Sequence, residues 1–358
     1  AEGRVSASAT ATTIQRLQDE ERAELISFLR RREDATVFHS PEWHDVIRAT
    51  YGHTSDYWVA RSGEGIAGVF PVVVVRAPLL GAKMVAMAYQ MDSGVPLVQS
   101  SEVGAALVER ATAEAKRAGV RYIEIRSLSA APQLETLGFR SVASGLVTTV
   151  VPLAGIELGR VRRNHRRSVR ASEDAGLIIE ESRTPEDLKQ FCDLYQREGR
   201  ALGAPQAGWR FFQNLHRHAP QLYRLYVARL DERFIGGLVT VGDERVTYAR
   251  HAAYSSREAL ETHAGAALYW RAISSAAAAG CKFFNCGISW ERDSGLIHWK
   301  EGWSGQSCPI HLYVMAIRGQ PPKPGDYLGG FQRAKAVWRK LPLPLAEAGG
   351  QLVTSWVC

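Results

Sequence analysis

Two stretches of the chain repeat each other at a fixed distance, and that repeat limits the possible folds more than any other feature. Gly104-Ala105-Ala106-Leu107 opens the amphipathic stretch GAALVERATAEAKRAGVRYIEIRS, and Gly265-Ala266-Ala267-Leu268 opens GAALYWRAISSAAAAGCKFFNCGIS, 161 residues further on. Both run to an Ala-Gly pair, Ala118-Gly119 and Ala279-Gly280. Both then enter a strand-like run, Tyr122-Ile123-Glu124-Ile125 and Phe283-Phe284-Asn285-Cys286. A second echo lies upstream of each. Tyr57-Trp58-Val59-Ala60-Arg61 leads through a polar turn to Gly65-Ile66-Ala67-Gly68, and Leu225-Tyr226-Val227-Ala228-Arg229 leads to Phe234-Ile235-Gly236-Gly237. Each pair reads as strand, tight turn, strand. Each half is therefore expected to run helix, β-hairpin, helix, strand.

Helices are expected around these blocks. Residues 14–31 and 185–200 carry apolar residues at helical spacing, the second after the start signal Thr184-Pro185. Ser40-Pro41 reads as a helix cap with proline at the first helical position. A chain of 358 residues suits about two domains. The expected fold class is α+β (α/β), two copies of one unit dividing near 155–160: domains 1–155 and 156–320, then a helical tail over 321–358.

Composition narrows the function classes. Hydrophobic residues make up 46% and charged residues 23%, which suits a globular chain and not a disordered one. The net charge of +7 favours an anionic partner such as nucleic acid, a nucleotide or an anionic membrane surface. The five cysteines lack metal-ligand spacing, so no metal is expected, and Cys281 and Cys286 read as buried thiols. No apolar run of about 18 residues offers a membrane span. The small, polar opening AEGRVSASATATT is not that of an uncleaved signal peptide, so a cytoplasmic protein is expected. No GxxxxGK[ST] and no strand-borne GxGxxG is present, which disfavours nucleotide hydrolysis and Rossmann redox chemistry.

Three segments carry candidate chemistry. Arg163, Arg166, Arg167 and Arg170 share one helical face, a concentration of planar bidentate donors suited to phosphates. Lys300, flanked by Trp299 and Trp303, follows the second repeat strand and combines apolar and cationic character suited to holding an anionic acyl donor or a developing oxyanion. Tyr89 to Pro96 is turn chemistry first, although Asp92 there can orient or deprotonate an attacking amine. Arg250, His251 and Tyr254, on an expected strand of the second half, either line the cleft or pack against it, and Arg250 and Tyr254 are kept as candidate contacts.

With these segments in view, the chain resembles the FemAB-like branch of the GNAT acyltransferase superfamily, whose members carry two GNAT-like domains in tandem. Phe38-His39-Ser40-Pro41-Glu42-Trp43 with Tyr51-Gly52-His53 is similar to its N-terminal signature. Arg162 to Leu177 resembles its "RRNIRKAEKNGL" helix, and His263 to Ile273 its "P-x-x-L-x-W-x-A-I" helix. Gly295 to Trp303 is similar to its "GLYRFKKGFG" segment, with Trp299 for Phe, and Val337 to Pro344 resembles the tail of one subgroup. The resemblance covers roughly residues 35–345. It implies two domains, each a mixed, mostly antiparallel sheet flanked by helices. It also implies transfer of an aminoacyl group from aminoacyl-tRNA, as co-substrate, to an amine of a peptidoglycan precursor. Trp299 and Lys300 would stabilise the developing charge, and Tyr89 and Asp92 would lie near the acceptor. No heptad run for the family's coiled-coil arm is present, so the acceptor stays open to a natural product or a surface-polysaccharide amine. The coenzyme A turn Q/R-x-x-G-x-G/A is reduced to one glycine each in Glu102-Val103-Gly104-Ala105 and His263-Ala264-Gly265-Ala266. The alternatives are an acyltransferase using coenzyme A or carrier-protein thioesters, and a non-catalytic scaffold of polysaccharide assembly or nucleic-acid binding. Oligomeric state is open.

Overall fold

The computed structural model describes residues 12–356 apart from 64, 79–80, 90–93, 255 and 320–334. These form two compact units that are not contiguous in sequence. The first holds the chain up to Ala35, His53–Ser141 and the segment from Tyr313; the second holds Thr36–Gly52, Val142–Leu312 and the C-terminal segment.

In the first unit, β1 (Thr13–Arg16), β2 (Thr54–Ser62), β3 (Gly65–Ala77), β4 (Gly81–Ala86) and β6 (Tyr122–Ser127) lie side by side in that order, with β5 (Leu97–Val98) also on β3. The pairings are antiparallel except β4 with β6, which is parallel. Helices α1 (Arg22–Arg30), α3 (Ser101–Arg117) and α4 (Gln133–Thr136) flank this sheet. Ser100 starts α3 by accepting from the Val103 N–H, and Val103, Leu107, Ala111 and Ala115 then bury one stripe of the helix against the sheet.

The expected helix over 14–31 divides. Thr13–Arg16 is a strand because β2 offers it an unpaired edge, and Ile14 packs on the core from there. The α-helix begins only at Arg22.

The second unit carries the other copy. Its strands run β7 (Arg140–Pro152), β12 (Phe283–Trp290), β11 (Val246–Ala253), β10 (Arg233–Gly242), β9 (Tyr223–Leu230) and β8 (Ile178–Ser182). Its helices are α2 (Pro41–Tyr51), α5 (Arg163–Asp174), α6 (Pro185–Leu202), α7 (Trp209–His218), α8 (Arg257–Glu261), α9 (Ala264–Ala278) and α10 (Ser294–Glu301). A C-terminal helix, Leu343–Trp356, packs on α6. Both expected hairpins form, β2–β3 and β9–β10, and the echoed helices are α3 and α9. Each copy adds a strand before its helix, β4 or β11, that pairs in parallel with the strand after it.

The capped helix at Ser40-Pro41 forms as expected, with Ser40 Oγ accepting from the Trp43 N–H. It packs in the second unit. Phe38 meets the rings of Trp43 and Tyr248 at 4.9 and 4.8 Å, and Asn214 of α7 donates to Thr50 Oγ1 at 3.1 Å.

Candidate active site

The site is built where β11 and β12 part. Tyr248 and Asn285 are the last of three parallel pairs between these strands. On its other side β12 follows β7, and its register slips between Asn285 and Ile288. Asn285, itself buried, fixes this bulge: its Oδ1 accepts from Thr148 Oγ1 at 2.7 Å and from the Gly287 N–H at 2.8 Å. Gly287 takes a left-handed φ of 78°, which a side chain would resist. The bulge presents the carbonyls of Gly287 and Ile288 on one side, and Lys300 Nζ donates to them at 2.7 and 3.0 Å.

Lys300 is only 4% exposed. Burial lowers its pKa to about 8, opposed by the neighbouring Cys286, whose thiol burial pushes up to about 12. A neutral amine has two N–H groups, one for each carbonyl. The ammonium form has a third.

Helix α10 holds Lys300 in place, and α5 holds α10. The Arg162 N–H donates to Gly302 O at 2.8 Å and its guanidinium to His298 O at 2.6 Å. His165, 6% exposed, donates from Nε2 to Trp299 O at 2.9 Å and sets its ring edge-on to Trp303 at 4.3 Å. Because a carbonyl only accepts, Nε2 carries the proton. Burial lowers the His165 pKa, the Trp299 carbonyl opposes this, and the charges of Arg162 and His298 add to the lowering.

The expected residues distribute as follows. Lys300, Trp299 and Trp303 come together. Trp299 is half-buried, whereas Trp303 is wholly buried behind it, their rings 5.7 Å apart. Tyr254 follows β11 and joins through Tyr269, which meets Trp299 edge-on at 4.9 Å. Burial raises the Tyr254 hydroxyl to about 12. A Cβ on Gly265 would lie 2.6 Å from the Tyr254 ring, so the glycine left from the coenzyme A turn makes room for an aromatic side chain. Arg163 and Arg167 lie on the exposed face of α5, opposite buried His165 and Val169. Arg250 points elsewhere, its guanidinium 5.8 Å from the Phe38 ring and 5.9 Å from that of Trp43. Tyr89 belongs to the first unit, where its hydroxyl meets His53 Nε2 at 3.0 Å. Asp92 lies outside the described residues.

A cavity of about 270 Å³ opens beside Trp299, lined by Arg162, Asn164, His165, Ser168, Ala266, Gly295 and His298. These residues belong to α5, α9 and α10, with Arg162 directly before α5. Sequence reasoning missed Arg162, His165, Asn285 and His298. His165, Val169 and Ser172 do form a legible buried stripe at helical spacing within the arginine run. Among the described residues no group of three or more His, Cys, Asp or Glu is placed to hold a metal, and no helix is long and apolar enough to cross a membrane.

Residues 159–301 match the Acetyltransferase (GNAT) domain family. A comparison with curated proteins finds no match. Among solved structures, FemX aligns with a TM-score of 0.69 at 15% identity, over 85% of this chain and 97% of its own. A tandem GNAT protein from the clavulanic acid biosynthesis pathway gives 0.55 at 13%, over 87% of this chain and 100% of its own. The L-PGS of Bacillus licheniformis gives 0.54 at 14%, over 89% and 97%. The fold is thus a pair of GNAT-like domains, the second containing the residues that match the GNAT family. The FemX alignment agrees in fold with the resemblance drawn from the sequence motifs.

Proposed function

We propose that the chain is an N-acyltransferase that moves an aminoacyl group from aminoacyl-tRNA to an amine, with Lys300 as the oxyanion donor. The observation that carries this is the buried Lys300 Nζ held on two carbonyls where β11 and β12 part, with a half-buried Trp299 beside it. An aminoacyl ester is already activated, so catalysis needs alignment and charge stabilisation more than a nucleophile. The acceptor amine forms the C–N bond, the third N–H of Lys300 meets the developing oxyanion, and the ester C–O bond then breaks. The amine proton passes to the leaving 3′ oxygen. Trp299 packs against the reacting ester. Arg163 and Arg167 hold phosphates of the donor, and the cavity at Arg162 and His298 takes its anionic end. Tyr254, through Tyr269, and Trp303 support Trp299. The acceptor is a cell-wall precursor or a small natural product.

The family description of residues 159–301 favours one second reading, an acyl-coenzyme A or carrier-protein donor in the same cavity. Separate titrations of charged tRNA and of coenzyme A at two salt concentrations decide between them. Tight, steeply salt-dependent tRNA binding without coenzyme A affinity supports aminoacyl transfer; coenzyme A affinity alone overturns it. With the donor known, Lys300→Ala should cost on the order of 2–4 kcal/mol in kcat/KM. Turnover should also fall as pH rises through about 8, where Lys300 loses its third N–H. Near wild-type turnover by Lys300→Ala removes Lys300 from the chemistry.

A further inference from the structure

The C-terminal helix carries one wide apolar arc, and the second unit covers only part of it. Ala346 and Gly350 face inward: both are buried, and a Cβ on Gly350 would lie 2.9 Å from Gln206 O. Gln351 Oε1 ties the same side down by accepting from the Gly208 N–H at 3.2 Å. At the other edge of that arc Leu345 is 59% and Leu352 52% exposed, and at 100° per residue Trp356 shares their direction. Glu347, Gln351, Thr354 and Ser355 take the remaining side, so Leu345 and Leu352 form the exposed edge of one wide apolar arc.

What surrounds this face points to its cover. Residues 335–340 form a helical turn directly before it, with Val337 61% exposed and Lys335, Arg339 and Lys340 beside it. Glu347 is the only acidic residue from 335 to 356. Arg339 donates to Leu202 O at 3.3 Å and Arg200 donates to Leu341 O, which fixes the turn against the end of α6, where Leu202 is itself 59% exposed. Exposed leucine and valine, a tryptophan near each end of the segment and a cluster of cations are the composition of a surface that lies in a membrane interface. A second copy of this chain would bring the same cations onto the contact, in a protein already at +7.

We infer that residues 335–356 dock on an anionic lipid bilayer. Leu345, Leu352 and Val337 enter the boundary between headgroups and acyl chains, and Lys335, Arg339 and Lys340 meet the anionic headgroups. The attachment is peripheral, since the helix has 14 residues and lies on the protein along one face.

The test is co-sedimentation of the full chain with phosphatidylcholine vesicles and with vesicles that also contain phosphatidylglycerol, at low and high salt. Binding should be about tenfold or more stronger on the anionic vesicles and should weaken with salt. Leu345→Glu with Leu352→Glu should abolish binding without changing the circular dichroism spectrum or Tm, because both side chains are exposed. Arg339→Glu with Lys340→Glu should remove the preference for anionic lipid. The inference is overturned if wild-type protein ignores anionic vesicles or if the leucine variant binds as wild type does. It is equally overturned if light scattering finds a dimer that the leucine substitutions dissociate, for then the face belongs to a second copy.

Discussion

Replacing Gly302 by alanine tests whether α5 and α10 are locked together as the geometry requires. Gly302 has φ −59° and ψ −19°, ordinary right-handed helix, so its backbone accepts alanine without strain. By helix propensity alone the change should stabilise by up to about 1 kcal/mol. The added Cβ would instead lie 2.2 Å from His165 Cε1 and 2.7 Å from each ring nitrogen. The ring must retreat by roughly 1 Å or more to reach ordinary contact. It is held on one side by Trp299 O at 2.9 Å and lies edge-on to Trp303 at 4.3 Å. Forced displacement in a packed interior costs about 1–3 kcal/mol, and loss of the Trp299 hydrogen bond about 1 kcal/mol more. Set against the propensity gain, the net expected destabilisation is about 1–3 kcal/mol. Urea denaturation with an unchanged m-value measures it. The same substitution in a His165→Ala background has no ring to displace and should be neutral or stabilising, so the double-mutant cycle should show coupling of about 1–3 kcal/mol. Stabilisation of the wild-type chain by Gly302→Ala, or an equal cost in both backgrounds, would refute the lock.

Lys300 gives a pH prediction. Its pKa is lowered to about 8 from the ordinary 10.5, so between those values the unfolded chain keeps a proton that the folded chain has released. Stability should therefore rise with pH across that window, by on the order of 3 kcal/mol, and this contribution to the slope should vanish below about 8. Thermal unfolding of wild type and Lys300→Met across that range should differ in slope; parallel curves would show that the amine titrates normally. Reversing Arg163 and Arg167 to Glu should weaken donor binding and flatten its salt dependence by roughly two phosphate contacts while sparing kcat at saturation. An unchanged salt slope removes α5 from donor binding. Asp187 is buried, which alone would raise its pKa, but Ser182 and Arg229 hydrogen bonds hold it below the ordinary 3.8. The pair's contribution should be present above pH 3.8 and disappear as pH falls further, and Asp187→Ala should cost about 2–3 kcal/mol by chemical denaturation at neutral pH, with a loss under 0.5 kcal/mol counting against it.

Local patterns carried much of this architecture in the sequence. The hairpin turn at Asp231 and Glu232, both with positive φ, is short enough to mark itself, and the helix starts at Ser40 and Thr184 rest on side chains that cap in place. What was illegible depends on partners distant in sequence. Thr13–Arg16 lies within an apolar period that suits a helix, and only the free edge of β2 makes it a strand. Phe38 and Trp43 precede the first hairpin, yet their rings find Tyr248 and Phe211 in the second unit. At the site, Lys300 stood out as a cation between tryptophans. Asn285 did not, because a lone amide in a strand shows nothing of the bulge it pins until β7 lies beside it.

The two copies of the repeated unit also explain why the candidate chemistry falls on one of them. Glu124 and Asn285 occupy the same place in the echo, and each is the last residue of the parallel pairing in its unit, with Val85 and with Tyr248. Beyond that point both sheets open. In the first unit the opening is closed by the chain itself: the Gly94 N–H donates to Arg126 O at 2.7 Å, and a Cβ on Gly94 would lie 2.9 Å from that oxygen. In the second unit the corresponding carbonyls, those of Gly287 and Ile288, are met by the Lys300 ammonium. A backbone N–H is a neutral donor whose hydrogen bond is already made. An ammonium with two of three hydrogens engaged keeps one to give, together with a positive charge that burial has made costly. The repeat therefore provides two sheet openings of one kind, filled by the Gly94 backbone N–H in the first and by the Lys300 side chain in the second, and only the second leaves a charged group there.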